Sequence, residues 1–175
     1  MKKAPVWGKV LGIIMICLGG LGVINQVYKL MVPMMMDMMR DFPVHPANGN
    51  PMAAQTGLDV MFGNSNSATM LMILGFSGLA MMALYIVAGA KLLTRKMANY
   101  NFAKNVLLIM LVYNALTLIY MWSGAGGMFV KMLAIYGTIG FVFDLTILII
   151  LISNDKQEYE AATSSNNFNA IDEIL

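Results

Sequence analysis

Residues 68–90 read ATMLMILGFSGLAMMALYIVAGA and contain no charged side chain. At a rise of about 1.5 Å per residue, a helix of this length can cross a hydrocarbon core of about 30 Å. Backbone N–H and C=O groups find no water inside lipid, so a crossing segment satisfies them within itself as a helix. The stretch therefore predicts a transmembrane helix.

Three further apolar segments have a similar length, and they cover residues 7–32, 103–122 and 128–152. Hydrophobic residues make up 59% of the chain and charged residues only 11%, whereas soluble domains carry about 25% charged residues. We therefore predict an all-α integral membrane protein, a bundle of four transmembrane helices.

The segments between the spans divide the chain further. Residues 33–67 are rich in Pro, Asn, Gly and Ser, which predicts a long loop. Residues 91–102 form a short basic connection, and residues 123–127 form a glycine turn. A polar tail follows at 153–175, so we expect a transmembrane domain at 1–152 and a separate cytoplasmic tail.

The basic residues predict an orientation, because they favour the cytoplasmic side of a membrane. Among the 11 Lys and Arg residues, only Lys29, Arg40 and Lys131 fall on the side of the long loop. Both termini are therefore expected in the cytoplasm and the long loop outside. The first span exceeds the 7–15 apolar residues typical of a cleaved leader. This length and the compact loops suit a bacterial inner (plasma) membrane. The residues on the cytoplasmic side are Lys2, Lys3, Lys9, Lys91, Arg95, Lys96, Lys104 and Lys156.

Asp144 lies well inside the fourth span. A charge near the bilayer centre costs about 3 kcal/mol on insertion scales, so this side chain should face the bundle and either pair or be protonated. Tyr85 in the second span and Asn114 in the third lie within plausible reach of its depth. Three interpretations follow: a carboxyl hydrogen-bonded inside the bundle, a docking contact with another subunit, or the handling of protons or other cations.

Glycines form a stripe along the first span, where Gly8, Gly12, Gly19 and Gly22 share one helix face. Small residues let helix backbones approach closely. The stripe predicts helix packing, either within this chain or between two copies of it.

Methionines crowd the end of the first span around Pro33, in a chain that contains 19 of them. Thioether sulfur is a soft ligand that suits Cu(I). Methionine is also an adaptable apolar residue that packs on lipid or on a partner protein, and we favour this second interpretation. The candidate Cu(I) ligands are Met34, Met35, Met36, Met38, Met39 and His45.

The chemistry-bearing residues exclude several functions. The sequence contains no nucleophile–base pair or phosphate loop, and Cys17 lies in an apolar span without a neighbouring base, so we expect no enzyme and no cofactor. The basic residues form no dense patch of the kind that nucleic-acid binding needs. We expect a small structural or accessory membrane protein whose helices contact the lipid bilayer, other membrane subunits or a second copy. Ion handling centred on Asp144 and Cu(I) binding by Met31–Met39 are the alternatives.

Overall fold

The computed structural model describes residues 5–41, 60, 65–94, 96–123 and 127–154. These residues form four long helices, and within them every regular element is helical. The prediction of an all-α chain with four apolar helices is confirmed. The helices are α1 (Val6–Asp41), α2 (Ser65–Leu92), α3 (Met97–Trp122) and α4 (Met128–Ser153).

Each helix contains a segment that is long and apolar enough to cross a membrane. The segments have mean hydropathies between 1.8 and 2.3. Large apolar side chains such as Phe76 and Ile119 are exposed on them, as expected of helix faces that meet lipid rather than water. The chain is therefore consistent with a multi-pass helical membrane protein. The segments are Val6–Met35, Ala68–Leu92, Ala98–Trp122 and Met128–Ser153.

α1 differs from the sequence prediction, which placed a loop from residue 33 onward. The helix passes through Pro33 and ends at Asp41. A proline inside a helix removes the N–H that would bond to the carbonyl four residues earlier. Membrane helices tolerate such a residue because neighbouring groups satisfy the freed carbonyl, and the methionines that follow are good helix formers. Most of the predicted loop, from residue 42 to 64 apart from 60, lies outside the described residues, as does the tail from 155.

The ends of α2, α3 and α4 are closed by short polar side chains that bond to carbonyls of the last turn. Thr94 Oγ1 donates to the Lys91 carbonyl and Asn154 Nδ2 to the Ile150 carbonyl, both at 2.7 Å. Ser123 closes α3 in the same way. Such bonds satisfy carbonyls that have no partner within the helix. The connection between α2 and α3 is shorter than the predicted 91–102, because α2 ends at Leu92 and α3 begins at Met97.

The chain divides into two compact units, and each helix contributes a segment to both. Tyr100 is central to the core of the first unit, where its Oη donates to the Leu151 carbonyl at 2.9 Å. In the second unit an apolar cluster is formed by Val32, Leu71, Met121, Val130, Leu133 and Ala134. The first unit comprises Met1–Leu21, Met81–Val112 and Val142–Leu175, and the second comprises Gly22–Ala80 and Tyr113–Phe141.

Candidate functional site

The most deeply buried acid of the described residues is paired within the first unit. Asp144 on α4 is 6% exposed, and Tyr85 on α2 is 1% exposed. The Tyr85 hydroxyl donates to Asp144 Oδ1 at 2.7 Å. A charge-assisted or neutral bond of this length is well formed. Two of the three intramembrane polar residues named from the sequence thus meet in the core of one unit.

Asn114, the third of these residues, belongs to the second unit. It is half-buried on α3 and takes part in a polar interaction of its own. Its neighbour Tyr113 donates to the Leu74 carbonyl at 2.6 Å and lies 3.3 Å from the Ser77 hydroxyl. This link between α2 and α3 was not predicted, although tyrosine and serine inside apolar spans are the signal that could have found it.

Gly12 of the predicted stripe lies against α2. A Cβ atom built on Gly12 would be 2.6 Å from the carbonyl oxygen of Gly89, and one built on Gly89 would be 2.7 Å from the carbonyl oxygen of Gly12. Real Cβ atoms do not come so close to a backbone oxygen, so only two glycines permit this approach. Gly89 was missed from the sequence, where the run Ala88-Gly89-Ala90 was the available signal.

Gly19 lies on the same side of α1 and contacts the turn of α2 that carries Tyr85. A Cβ there would be 2.6 Å from Ile86 Cγ1 and 3.4 Å from Tyr85 Cδ1. The glycine therefore leaves room for the Ile86 side chain, next to the tyrosine that bonds to the buried acid. Of the remaining stripe residues, Gly8 is buried and Gly22 is half-buried.

The second unit holds three polar side chains whose burial was not predicted from the sequence. Gln26 is 1% exposed, Lys29 is 3% exposed and Thr117 is 5% exposed. Gly78 makes room for the Gln26 amide, since a Cβ on Gly78 would overlap it. Among the described residues, Gln26 Oε1 and Thr117 Oγ1 have no hydrogen-bond partner.

Lys29 does not belong among the basic residues that are counted to predict the orientation of the chain. It was counted as a residue that flanks the end of the first span, but it is buried inside the candidate span Val6–Met35. The physical reason is the continuation of α1 beyond Pro33, which moves the end of the helix away from Lys29. The signal in the sequence is the spacing of Gln26 and Lys29, which places both on one helix face.

The methionines at the end of α1 form an exposed stripe. Met31, Met34, Met35 and Met38 are 46%, 57%, 42% and 59% exposed. Their spacing of three, one and three residues places them on one face of the helix. Met36 and Met39 are also helical, but their side chains lie outside the described part, as does His45. Within the described residues no group of three or more His, Cys, Asp and Glu side chains could hold a metal ion.

The chain thus carries two distinctive features, a buried Tyr85–Asp144 pair and an exposed Met stripe on α1. Comparison with protein-family models, with curated proteins and with solved structures finds no match.

Proposed function

We propose that this chain is a small accessory protein of a membrane, and that it docks to a larger membrane complex or to a second copy through α1. The observation that carries the proposal is the exposed Met stripe, defined as Met31, Met34, Met35 and Met38. Apolar anchors at this spacing are what a helix presents to a groove on a partner. Methionine suits such a contact because its unbranched side chain adapts to irregular surfaces.

Exposed stripes also occur on helix faces that meet only lipid. The α4 residues Met132, Ile135, Tyr136 and Ile139 have the same spacing and are between 49% and 64% exposed. The α1 stripe differs at its last residue, since Met38 lies beyond Met35, where the candidate span ends. α1 has 36 residues and α4 has 26, so α1 is longer by about 15 Å at about 1.5 Å per residue. Lipid chains do not cover apolar residues outside the hydrocarbon core, and a protein partner would.

The remaining polar chemistry supports an accessory role rather than a catalytic one. Asp144, the residue best suited to ion handling, is bonded to Tyr85 inside the chain. The glycines of α1 are occupied by α2 of the same chain at Gly12 and Gly19. These groups hold the chain together, and the exposed apolar faces of the described helices are free to contact a partner. Both termini are proposed to lie in the cytoplasm, and the membrane is proposed to be a bacterial inner membrane.

Co-purification tests this role. The full-length tagged chain, extracted in a mild detergent, is expected to come out as an oligomer or with a stoichiometric partner. Alanine at all four stripe positions keeps the helix, since alanine is the best helix former, but removes the anchors. This variant is expected to lose the association, while the matched variant with alanine at Met132, Ile135, Tyr136 and Ile139 keeps it. A monomer without a partner, or equal behaviour of the two variants, would contradict the proposal.

A further inference from the structure

The ends of all four helices meet at one end of the first unit. The Trp7 ring at the start of α1 packs edge-on against the Tyr100 ring at the start of α3, with centroids 6.5 Å apart. The Tyr100 hydroxyl reaches the Leu151 carbonyl near the end of α4 at 2.9 Å. A Cβ on Gly12 of α1 would lie 3.0 Å from Leu93, just after α2. The ends of the four helices therefore pack against one another in this unit.

Four lysines lie near the helix ends that meet here, and together we call Lys9, Lys91, Lys96 and Lys104 the basic collar. Lys91 and Lys96 are exposed, whereas Lys9 and Lys104 are half-buried. The acid that the described part of this unit contains is Asp144, which is buried and bonded to Tyr85. Within these residues the positive charge of the basic collar therefore has no acidic neighbour to neutralise it.

Aromatic side chains lie among the lysines. The Lys91 ammonium sits over the Phe102 ring, with Nζ 3.9 Å from the ring centroid. A cation at this distance from an aromatic face is attracted to it, which holds the ammonium in place. Tryptophan and tyrosine are enriched at the level of lipid headgroups because their rings are amphipathic. Trp7, which is half-buried at the start of α1, is such a residue next to the basic collar.

The second unit has a different pattern of charge. The basic residues whose exposure is described are Lys29, which is buried, and Lys131, which is exposed, and Asp37 is exposed as well. The positive surface is thus a property of the first unit among the residues described.

We propose that the basic collar binds the headgroups of anionic phospholipids. Lysines near a membrane surface attract anionic lipids, each by a factor of about five at low ionic strength. Lysines at neighbouring helix ends each add to this attraction. This inference rests on the membrane location of the chain but not on the docking of the Met stripe, so either can fail without the other.

The two tryptophans of the chain make a direct test feasible. Trp7 lies beside the basic collar and Trp122 lies in the second unit. The full chain, with Trp122→Phe so that only Trp7 emits, is reconstituted in bilayers that contain phosphatidylglycerol or phosphatidylcholine with brominated acyl chains. Bromine quenches the fluorescence of a tryptophan that it contacts. At low salt we expect the association constant of phosphatidylglycerol at Trp7 to exceed that of phosphatidylcholine by about three- to tenfold.

Three further measurements make the outcome specific. Raising the salt to 0.5 M screens the lysines and is expected to abolish most of the preference without any substitution. The variant with Lys91→Gln and Lys96→Gln should lose at least half of it, whereas Lys131→Gln should keep it. The Trp7→Phe chain, in which Trp122 reports on the second unit, should show little preference. Equal quenching by both lipids at Trp7, or a preference that survives 0.5 M salt, would overturn the proposal.

Discussion

Asp144 illustrates how a single acid becomes acceptable inside an apolar helix. Its carboxyl lies in the core of the first unit and accepts the Tyr85 hydroxyl at 2.7 Å. Tyr85→Phe keeps the ring but removes this donor, so we expect a loss of about 1 kcal/mol in unfolding free energy, the usual size of a hydrogen bond between membrane helices. Asp144→Asn keeps an acceptor oxygen and should change stability by less than about 0.5 kcal/mol.

Reversible unfolding in mild detergent measures both changes. Tyr136→Phe is the matched control, because Tyr136 is 64% exposed on α4 and its hydroxyl should contribute little. A Tyr85→Phe variant as stable as the wild type would contradict the role given to this bond. An ion flux that Asp144→Asn abolishes without a change in stability would instead favour the ion-handling alternative.

Buried charged residues differ in how clearly the sequence predicts their burial. Asp144 is conspicuous because a charge is expensive in lipid, and the cost itself predicts that it faces the interior. Lys29 is not conspicuous, because a long lysine near a helix end is ordinarily expected to reach the headgroups. Its burial depends on α1 continuing through Pro33, which local propensity argues against. The sequence therefore reveals the buried acid but not the buried lysine.

At the scale of the helix pair, the contact between α1 and α2 depends on Gly12 and Gly89. A methyl group at either position would meet the backbone carbonyl of the other at 2.6 or 2.7 Å, and a backbone cannot move away as a side chain can. We expect Gly12→Ala or Gly89→Ala to cost about 1–3 kcal/mol of unfolding free energy, as overpacking does in other cores.

Gly20 on α1 provides the control for this prediction. A Cβ there would have nothing within 4 Å, so Gly20→Ala should be neutral or should stabilise the helix by up to about 1 kcal/mol. Thermal unfolding of the three variants in one detergent compares them directly. A destabilised Gly20→Ala together with an unchanged Gly89→Ala would show that the close approach of α1 and α2 is not what limits stability.

Helices as elements were predictable because hydropathy over about 20 residues is a strong signal. Their ends were less so. The end of α1 was placed at residue 32 since Pro33 and the Pro-rich stretch beyond it resemble a loop, yet the helix continues to Asp41. Only the α1 side of the Gly12–Gly89 contact was predicted, as part of the glycine stripe. The identity of the partner glycine depends on the register between α1 and α2, which a single sequence does not specify.

The distribution of the basic residues predicts an orientation for the whole molecule, and without the buried Lys29 this prediction counts only Arg40 and Lys131 on the side of the long loop. Cysteine labelling tests it, because Cys17 is the one cysteine in the chain and can be replaced by serine. In that background Thr94→Cys, between α2 and α3, and Ser123→Cys, after α3, introduce exposed thiols at opposite ends of one helix. A membrane-impermeant maleimide should label Ser123→Cys in right-side-out vesicles and Thr94→Cys only in inside-out vesicles, if α3 crosses the bilayer between them as proposed. The reverse pattern would place both termini outside, and labelling of both thiols from one side would show that α3 does not cross at all.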